Sequence, residues 1–490
     1  MSAELIPTIF LISTRKNFYM RIYLASWGNP LEWGGAKYRH GPVGNAYYSY
    51  TTLPFMVREY GVDKAIIIAL DSVITARGQA PSKEVLGCAE QVGLVVSNNS
   101  IKPGEIRDYN EWVGSASKYI ECVAARSVGN DLAGRLSVVI APYVGLREGV
   151  AYGVGKDVRP DVYLTHALVR VLDVLGGSLR DVGELIVDIT HGINYTPYLT
   201  IELGKMLASL ALALNGSRPN YAVGIRIFNA VEVGVEGEVR VYDVHNIGEL
   251  RMDRYYLDPI ITAVYTNAKS LDEDELAVIG SLMMNAPVAL IQSCKDLLKQ
   301  EAGTLLPEDL SYSKLLGTVS VERLGNDYVI KHPRYVRPVV VYAKAFTRAL
   351  CTSLMNQSSA KNLLQSYVPA VELKDAVAPY FEKVSKASEV IVRNALDTLR
   401  ELLKEKAPVQ LQVTPTSIVC NRNELRNFMA HAGFYIKKER GIYIEKTRGI
   451  SWIDVKIEGN DVKVGHYRNW DSVKKFITDC LTKQLTPKTQ

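Results

Sequence analysis

From Met20 to about Asn246 the chain alternates short β-rich runs with stretches of helical periodicity, the pattern of parallel strands joined by crossover helices. Strands are predicted at Arg21–Ser26, Lys64–Asp71, Ser137–Val144, Glu184–Thr190 and Ala222–Val231, and helices at Tyr47–Tyr60, Asn110–Ala125, Asp161–Leu175 and Pro197–Leu214. The run Ala65-Ile66-Ile67-Ile68-Ala69-Leu70 is apolar throughout, as a strand covered on both faces must be. The pattern predicts an α/β, doubly wound, Rossmann-like sheet, on which ligands bind beyond the carboxyl ends of the strands.

After about Arg251 the pattern becomes helical: Leu257–Asn267, Asp274–Met284, Val288–Gln300, Val339–Met355, Val371–Glu405 and Glu424–His431. Val319–Leu324 and Tyr328–His332 flank the turn Gly325-Asn326-Asp327 and read as a hairpin, which after helices suggests a winged-helix-like insertion. Near the end Ile442–Lys446, Ile450–Glu458 and Val462–His466 alternate like strands. The two halves are expected to be separate domains of different class. Met20-Arg21-Ile22-Tyr23 reads as a natural chain start, so residues 1–19 are expected to be an extension outside the fold.

Composition narrows the class. With 490 residues, 47% hydrophobic and 22% charged, the chain is globular, and its net charge of +5 permits a nucleic-acid partner without requiring one. The six cysteines, at 88, 122, 294, 351, 420 and 480, are scattered, with no Cys-x-x-Cys and no zinc spacing, so a reducing cytosol and no structural metal are expected. No apolar stretch reaches the roughly 18 residues that span a bilayer. Leu5–Ile12 is apolar but lacks the frame of a signal peptide. A soluble, cytoplasmic protein is expected.

A sheet of this kind suggests nucleotide chemistry, yet no Gly-x-Gly-x-x-Gly follows the first strand, which runs into Ser26-Trp27-Gly28-Asn29-Pro30. Gly149 to Asp157 lacks the spacing and the hydroxyl of a phosphate loop. Asp188-Ile189-Thr190-His191-Gly192-Ile193-Asn194-Tyr195-Thr196-Pro197 leads straight into a helix, placing a hydroxyl, an imidazole, a glycine and an amide where N–H groups and the helix dipole attract phosphate. As ordinary structure, the same residues are a turn with Thr190 or Asn194 as N-cap. The Ser26–Asn29 turn favours the functional reading, because both turns fall at one edge of the sheet.

In the helical half, Asn427 and His431 are four apart and share a helix face, with Arg426 one position round. Such a trio suits metal-independent RNA cleavage: a ribose 2′-OH attacks the adjacent phosphorus, imidazole moves protons and Arg holds the phosphate. One set is thin for this, so two sets meeting across a two-fold axis are expected, hence an obligate dimer. As ordinary structure, His431 is a C-terminal helix histidine before a Gly433 cap. Arg240/His245 and Arg159/His166 have similar spacings but fall on a strand-like run and ahead of a buried-looking helix. His40, His332 and His466 read as surface or hydrogen-bonding residues, and Tyr47-Tyr48-Ser49-Tyr50 as helix packing.

Together, Ser-Trp-Gly-Asn-Pro after a strand, the Asp-Ile-Thr-His-Gly-Ile-Asn-Tyr string and a C-terminal Arg-Asn-x-x-Ala-His-x-Gly resemble the CARF–HEPN accessory ribonucleases of type III CRISPR antiviral systems, the Csx-one group. The resemblance implies a CARF domain at 20–248, a helical connector with the winged-helix-like segment at 249–337 and a mainly α-helical HEPN ribonuclease domain at 338–490. It implies an allosteric cyclic oligoadenylate activator, most often cyclic tetra-adenylate, held by Ser26, Trp27, Gly28 and Asn29 and by Thr190, His191, Gly192, Ile193 and Asn194 across a homodimer axis, with a higher assembly of dimers left open. It assigns Arg426, Asn427 and His431 to endoribonuclease cleavage of single-stranded RNA, leaving 2′,3′-cyclic phosphate ends, with no metal, no cofactor and no membrane partner. Two other readings stay open: a ligand-responsive transcription regulator using the middle segment, and a ring nuclease that destroys the messenger.

Overall fold

The computed structural model describes residues 19–79, 81–128, 132, 134–156, 158–300, 304–325, 327–332, 335–403, 411–412, 420, 425, 428–429, 452–458, 461–467 and 469–485. The predicted extension, apart from Tyr19, and the strand predicted at Ile442–Lys446 lie outside these.

Eight strands form the main sheet, in the order Tyr47–Ser49, Ala36–Arg39, Val239–Met252, Val223–Glu236, Val182–Asp188, Met20–Trp27, Lys64–Leu70, Leu136–Ala141. The last five in that order run parallel. Every residue from Ala65 to Leu70 is buried, with Ile66, Ile68 and Leu70 in one core and Ala65, Ile67 and Ala69 in the other. Helices Val162–Leu175 and Thr196–Leu214 cover the first face; Leu53–Tyr60, Lys83–Gln91 and Tyr109–Val128 cover the second. The sheet is therefore doubly wound, as the alternation predicts, but mixed rather than wholly parallel. Tyr47–Ser49, expected as helix, pairs instead with Ala36–Tyr38, and the helix waits for Leu53 with Pro54 in its first turn. Val239–Met252 returns antiparallel along Val223–Glu236.

The C-terminal half is helical: Asp258–Asn267, Glu273–Met283, Pro287–Gln300, Pro338–Leu354, Ala370–Glu382, Lys386–Leu403 and Trp470–Leu485. The long helix predicted over Val371–Glu405 is broken at Lys383 to Ser385. One apolar core runs without interruption from the sheet through Leu168, Leu207 and Leu210 into Val341, Leu350 and Phe381 of this half, so the halves share packing rather than standing apart. That position explains why the Val162–Asp181 and Thr196–Leu214 helical stretches have the length and hydropathy of membrane spans: 67% and 72% of those windows are buried.

The expected hairpin exists, as Ser320–Leu324 paired with Asp327–Lys331, but it is not a free wing. Its inner strand also pairs with Val150–Val154, completing a four-stranded sheet with Gly145–Arg147 on the N-terminal half. The six cysteines, whose scatter pointed to a reducing cytosol, form three disulfides: Cys88–Cys122, Cys294–Cys351 and Cys420–Cys480. Each joins residues 34 to 60 apart, brought together only by tertiary packing, so spacing carried no sign of them. Disulfides persist in oxidising compartments and in the intracellular proteins of hyperthermophiles, which removes the premise for a reducing compartment.

Between the hairpin and the Pro338–Leu354 helix the chain crosses the start of Val162–Leu175: His332 N–H donates to the Val154 carbonyl (2.8 Å), Tyr335 donates to Asp161, and Thr165 donates to the Val336 carbonyl (2.7 Å). His332 is not a surface residue: it and His166 are buried with ring centroids 5.9 Å apart, and His166 Nδ1 and His332 Nε2 have no hydrogen-bond partner. Tyr109 and Tyr312 pack on this pair, and Asp71 accepts the Tyr109 hydroxyl at 2.9 Å.

Burial pushes His166 down to about 3 and His332 to about 4, and His191 likewise to about 4. Folded values below the unfolded 6.5 mean that neutral imidazoles are tolerated above pH 6.5, and stability is lost as pH falls below it. Asp71, pushed up to about 7 by burial, opposes this, since a protonated carboxyl suits its site. Between pH 7 and 5 each imidazole costs about 2 kcal/mol and Asp71 returns about 2, a net loss of about 4 kcal/mol. The urea midpoint is therefore expected to fall from pH 7 to pH 5, and less steeply for His166→Gln/His332→Gln; an unchanged midpoint would place these rings in water.

Candidate functional site

The chain moves outward from Met20–Trp27 to Lys64–Leu70 and Leu136–Ala141, then comes back to the other flank of Met20–Trp27 as Val182–Asp188. The strand order reverses between these two neighbours, and at such a switch point a crevice opens beyond the carboxyl ends. Both turns singled out in the sequence stand there. They interlock: Gly28 N–H donates to the His191 carbonyl at 2.7 Å. A Cβ on Gly28 would lie 2.5 Å from Ile193 Cγ2, and one on Gly192 would lie 2.4 Å from Ser26 Oγ and 2.7 Å from Pro197 Cγ. The two glycines are what let the turns meet. The Ser26 hydroxyl, buried beside Gly192, has no hydrogen-bond partner.

Under the turns lies Asp188, 1% exposed. Its Oδ2 accepts from Tyr23 (2.7 Å) and Thr52 Oγ1, and its Oδ1 from Thr190 N–H (2.9 Å). Thr52 N–H donates to His191 Nε2 at 3.2 Å. An imidazole that accepts at Nε2 carries its proton on Nδ1. Packing against Trp33 (ring centroids 4.7 Å) and Tyr38 (6.1 Å) desolvates the ring and lowers its pKa to about 4, Asp188 pulling weakly the other way. At pH 7 His191 is thus neutral, with Nδ1–H as its donor.

The expected capping roles are not those found. Thr190 Oγ1 accepts from Ala230 N–H on the next strand (3.0 Å), and Asn194 is exposed in the left-handed region, φ 53°, which asparagine tolerates. The Thr196–Leu214 helix starts after Tyr195 without a side-chain cap; Thr196 N–H donates to the Ile193 carbonyl (3.0 Å) and Pro197 carries no N–H.

The nine residues proposed as ligand contacts are therefore together, but in two tiers. Ser26, Trp27, Gly28 and Asn29 are buried; the Asn29 amide donates to Glu32 (2.9 Å) and the Arg77 carbonyl (3.1 Å) and accepts from Leu31 N–H (3.1 Å), which commits it to holding its own turn. Thr190, His191, Gly192, Ile193 and Asn194 form the accessible tier. Sequence reasoning passed over Trp33, Tyr38 and Thr52, and also Arg147, whose guanidinium lies 3.8 Å from the Glu32 carboxylate. None belongs to a spacing motif, and all arrive through strand pairing or packing.

Arg426, Asn427 and His431 lie outside the described residues. Of their run, Leu425, Phe428 and Met429 are helical and packed on the core, with Phe428 against Phe476 at 5.4 Å. Cys420, six positions before Arg426, is tied to Cys480. The two similar spacings behave as expected of ordinary structure: His245 is an exposed strand residue 3.6 Å from Asp243, and His166 is core.

Residues 22–232 match the family model described as CRISPR system endoribonuclease Csx1, CARF domain. The match takes in both turns and ends within the Val223–Glu236 strand; an N-terminal α/β sheet followed by a helical half agrees with it. No curated protein matches the chain.

Proposed function

We propose, from the premise of a CRISPR-associated CARF domain at residues 22–232, that the chain is a homodimeric, metal-independent endoribonuclease activated by a cyclic oligoadenylate, with cyclic tetra-adenylate as the ring. The observation that carries the reading is the interlocked pair of turns at the switch point, which offers a neutral Nδ1–H and an uncapped helix N-terminus to an anion. A phosphodiester ring is an acceptor all round its edge, the Nδ1–H is a donor, and the helix dipole favours its charge.

Binding gates cleavage. The ring shifts the pair of Arg426/Asn427/His431 elements toward in-line attack only by its extra affinity for the active arrangement, about 1–3 kcal/mol for typical coupling. The shared apolar core between sheet and helical half gives that difference a continuous route. Single-stranded RNA is cut by its own 2′-OH, leaving a 2′,3′-cyclic phosphate, so EDTA leaves the rate unchanged.

The test is RNA cleavage in EDTA with and without cyclic tetra-adenylate. His191→Ala removes one donor to a charged group, and half-maximal stimulation is expected to need about 10- to 150-fold more ring. No stimulation of the wild type, or an unshifted His191→Ala curve, ends the reading. A transcription regulator would instead bind duplex DNA with a steep salt slope and cut nothing; the hairpin's place inside a sheet speaks against a free wing. A ring nuclease would consume the messenger, and His191 is poorly suited as its base, since Nε2 is occupied by Thr52 and Nδ1 carries the proton.

A further inference from the structure

Trp33 packs against His191 of the second turn without belonging to either turn. It follows the Pro30–Glu32 turn, its N–H donating to the Pro30 carbonyl at 3.1 Å, and that turn is fixed by the Asn29 amide. The ring is half-buried. It meets His191 at 4.7 Å with the planes 48° apart, and Trp27 edge-on at 5.2 Å. Tyr38 closes the group from the side, 6.1 Å from His191 and stacked on Tyr242. A large indole, held on several sides yet still reaching solvent beside a neutral donor, loses little freedom when a flat ring settles on it.

We propose that Trp33 is the stacking platform for a purine base of the ligand, and so sets a preference for adenine over a pyrimidine; this rests on the reading of the two turns as the ring-binding site. The His191 Nδ1–H recognises phosphate, which every ring nucleotide carries. Something else must read the base, and an aromatic face does so through overlap, which is greater for a purine than for a pyrimidine.

Base–aromatic stacking lost on truncation corresponds to a weakening of about 5- to 150-fold in Kd. The experiment titrates cyclic tetra-adenylate into the full-length wild type, Trp33→Phe, Trp33→Leu and Trp33→Ala, followed by calorimetry and by tryptophan fluorescence. Expected are quenching in the wild type that is absent from all three variants, near wild-type affinity for Trp33→Phe, and loss within the stated range for Trp33→Leu. Leucine keeps apolar bulk against Trp27 without a π-face, so the comparison holds even if Trp33→Ala fails to fold. Trp33→Leu binding as tightly as Trp33→Phe overturns the stacking role while leaving the ring-binding site standing. A wild type that binds no ring removes the site itself and this inference with it.

Discussion

His431→Ala is expected to slow ring-stimulated cleavage of single-stranded RNA by about 10²- to 10⁴-fold, the range lost when a positioned acid–base group is removed. Without a metal, the barrier to in-line attack is lowered by moving protons at the 2′-OH and the leaving oxygen and by countering charge on the phosphoryl oxygens. In the proposed mechanism the first task falls to the His431 imidazole and the second to Arg426, with Asn427 to orient. Arg426→Lys keeps the charge but not the planar fork, so it should recover only part of what Arg426→Ala loses. Ring affinity of His431→Ala, measured by calorimetry, should match the wild type, because none of the residues proposed to hold the ring is altered. The reading fails if His431→Ala, with an unchanged thermal transition, cuts as fast as the wild type. It fails equally if EDTA stops the wild type.

How far this could be read from the chain differs between its parts, for physical reasons. The parallel strands were legible because burial on both faces leaves short uninterrupted apolar runs such as Ala65–Leu70. Tyr47–Ser49 was not, since a three-residue edge strand lacks a period of its own and owes its state to Ala36–Tyr38 beside it. At the site, residue types at a strand-to-helix turn pointed to the edge of the sheet where the two turns interlock. Which of them face outward did not follow: Asn29 resembles a ligand amide until Glu32 and Arg77 are seen to occupy it, and His191 owes its tautomer to Thr52, distant in sequence by 139 positions. The acid behaviour of His166 and His332 is likewise a property of packing, because two isolated histidines in the chain carry no sign of meeting.

Removing a disulfide is expected to cost about 4 kcal/mol for each of the three, with the cross-linked loops of 34, 57 and 60 residues differing among themselves by only about 0.5 kcal/mol, since the entropy of loop closure grows as a logarithm. Cys88, Cys294, Cys351 and Cys480 are fully buried, so reductants would act slowly, and paired Cys→Ala variants compared by urea unfolding give the cleaner measurement. An unchanged midpoint in any pair would mean that its thiols are not joined. The pairs should differ in function although they cost alike. Cys88–Cys122 staples two helices on the second face of the sheet, and its loss should lower stability alone. Cys420–Cys480 fixes the chain six residues ahead of Arg426 to the Trp470–Leu485 helix, against which Phe428 already packs. Catalysis by positioned groups falls steeply when geometry loosens, with a misplacement of about 1 Å costing on the order of 10²-fold. Cys420→Ala/Cys480→Ala should therefore lose cleavage rate at temperatures where it remains folded and where Cys88→Ala/Cys122→Ala still cuts as the wild type does. Equal rates for the two variants, at matched folded fractions, would detach the Cys420 tether from the chemistry.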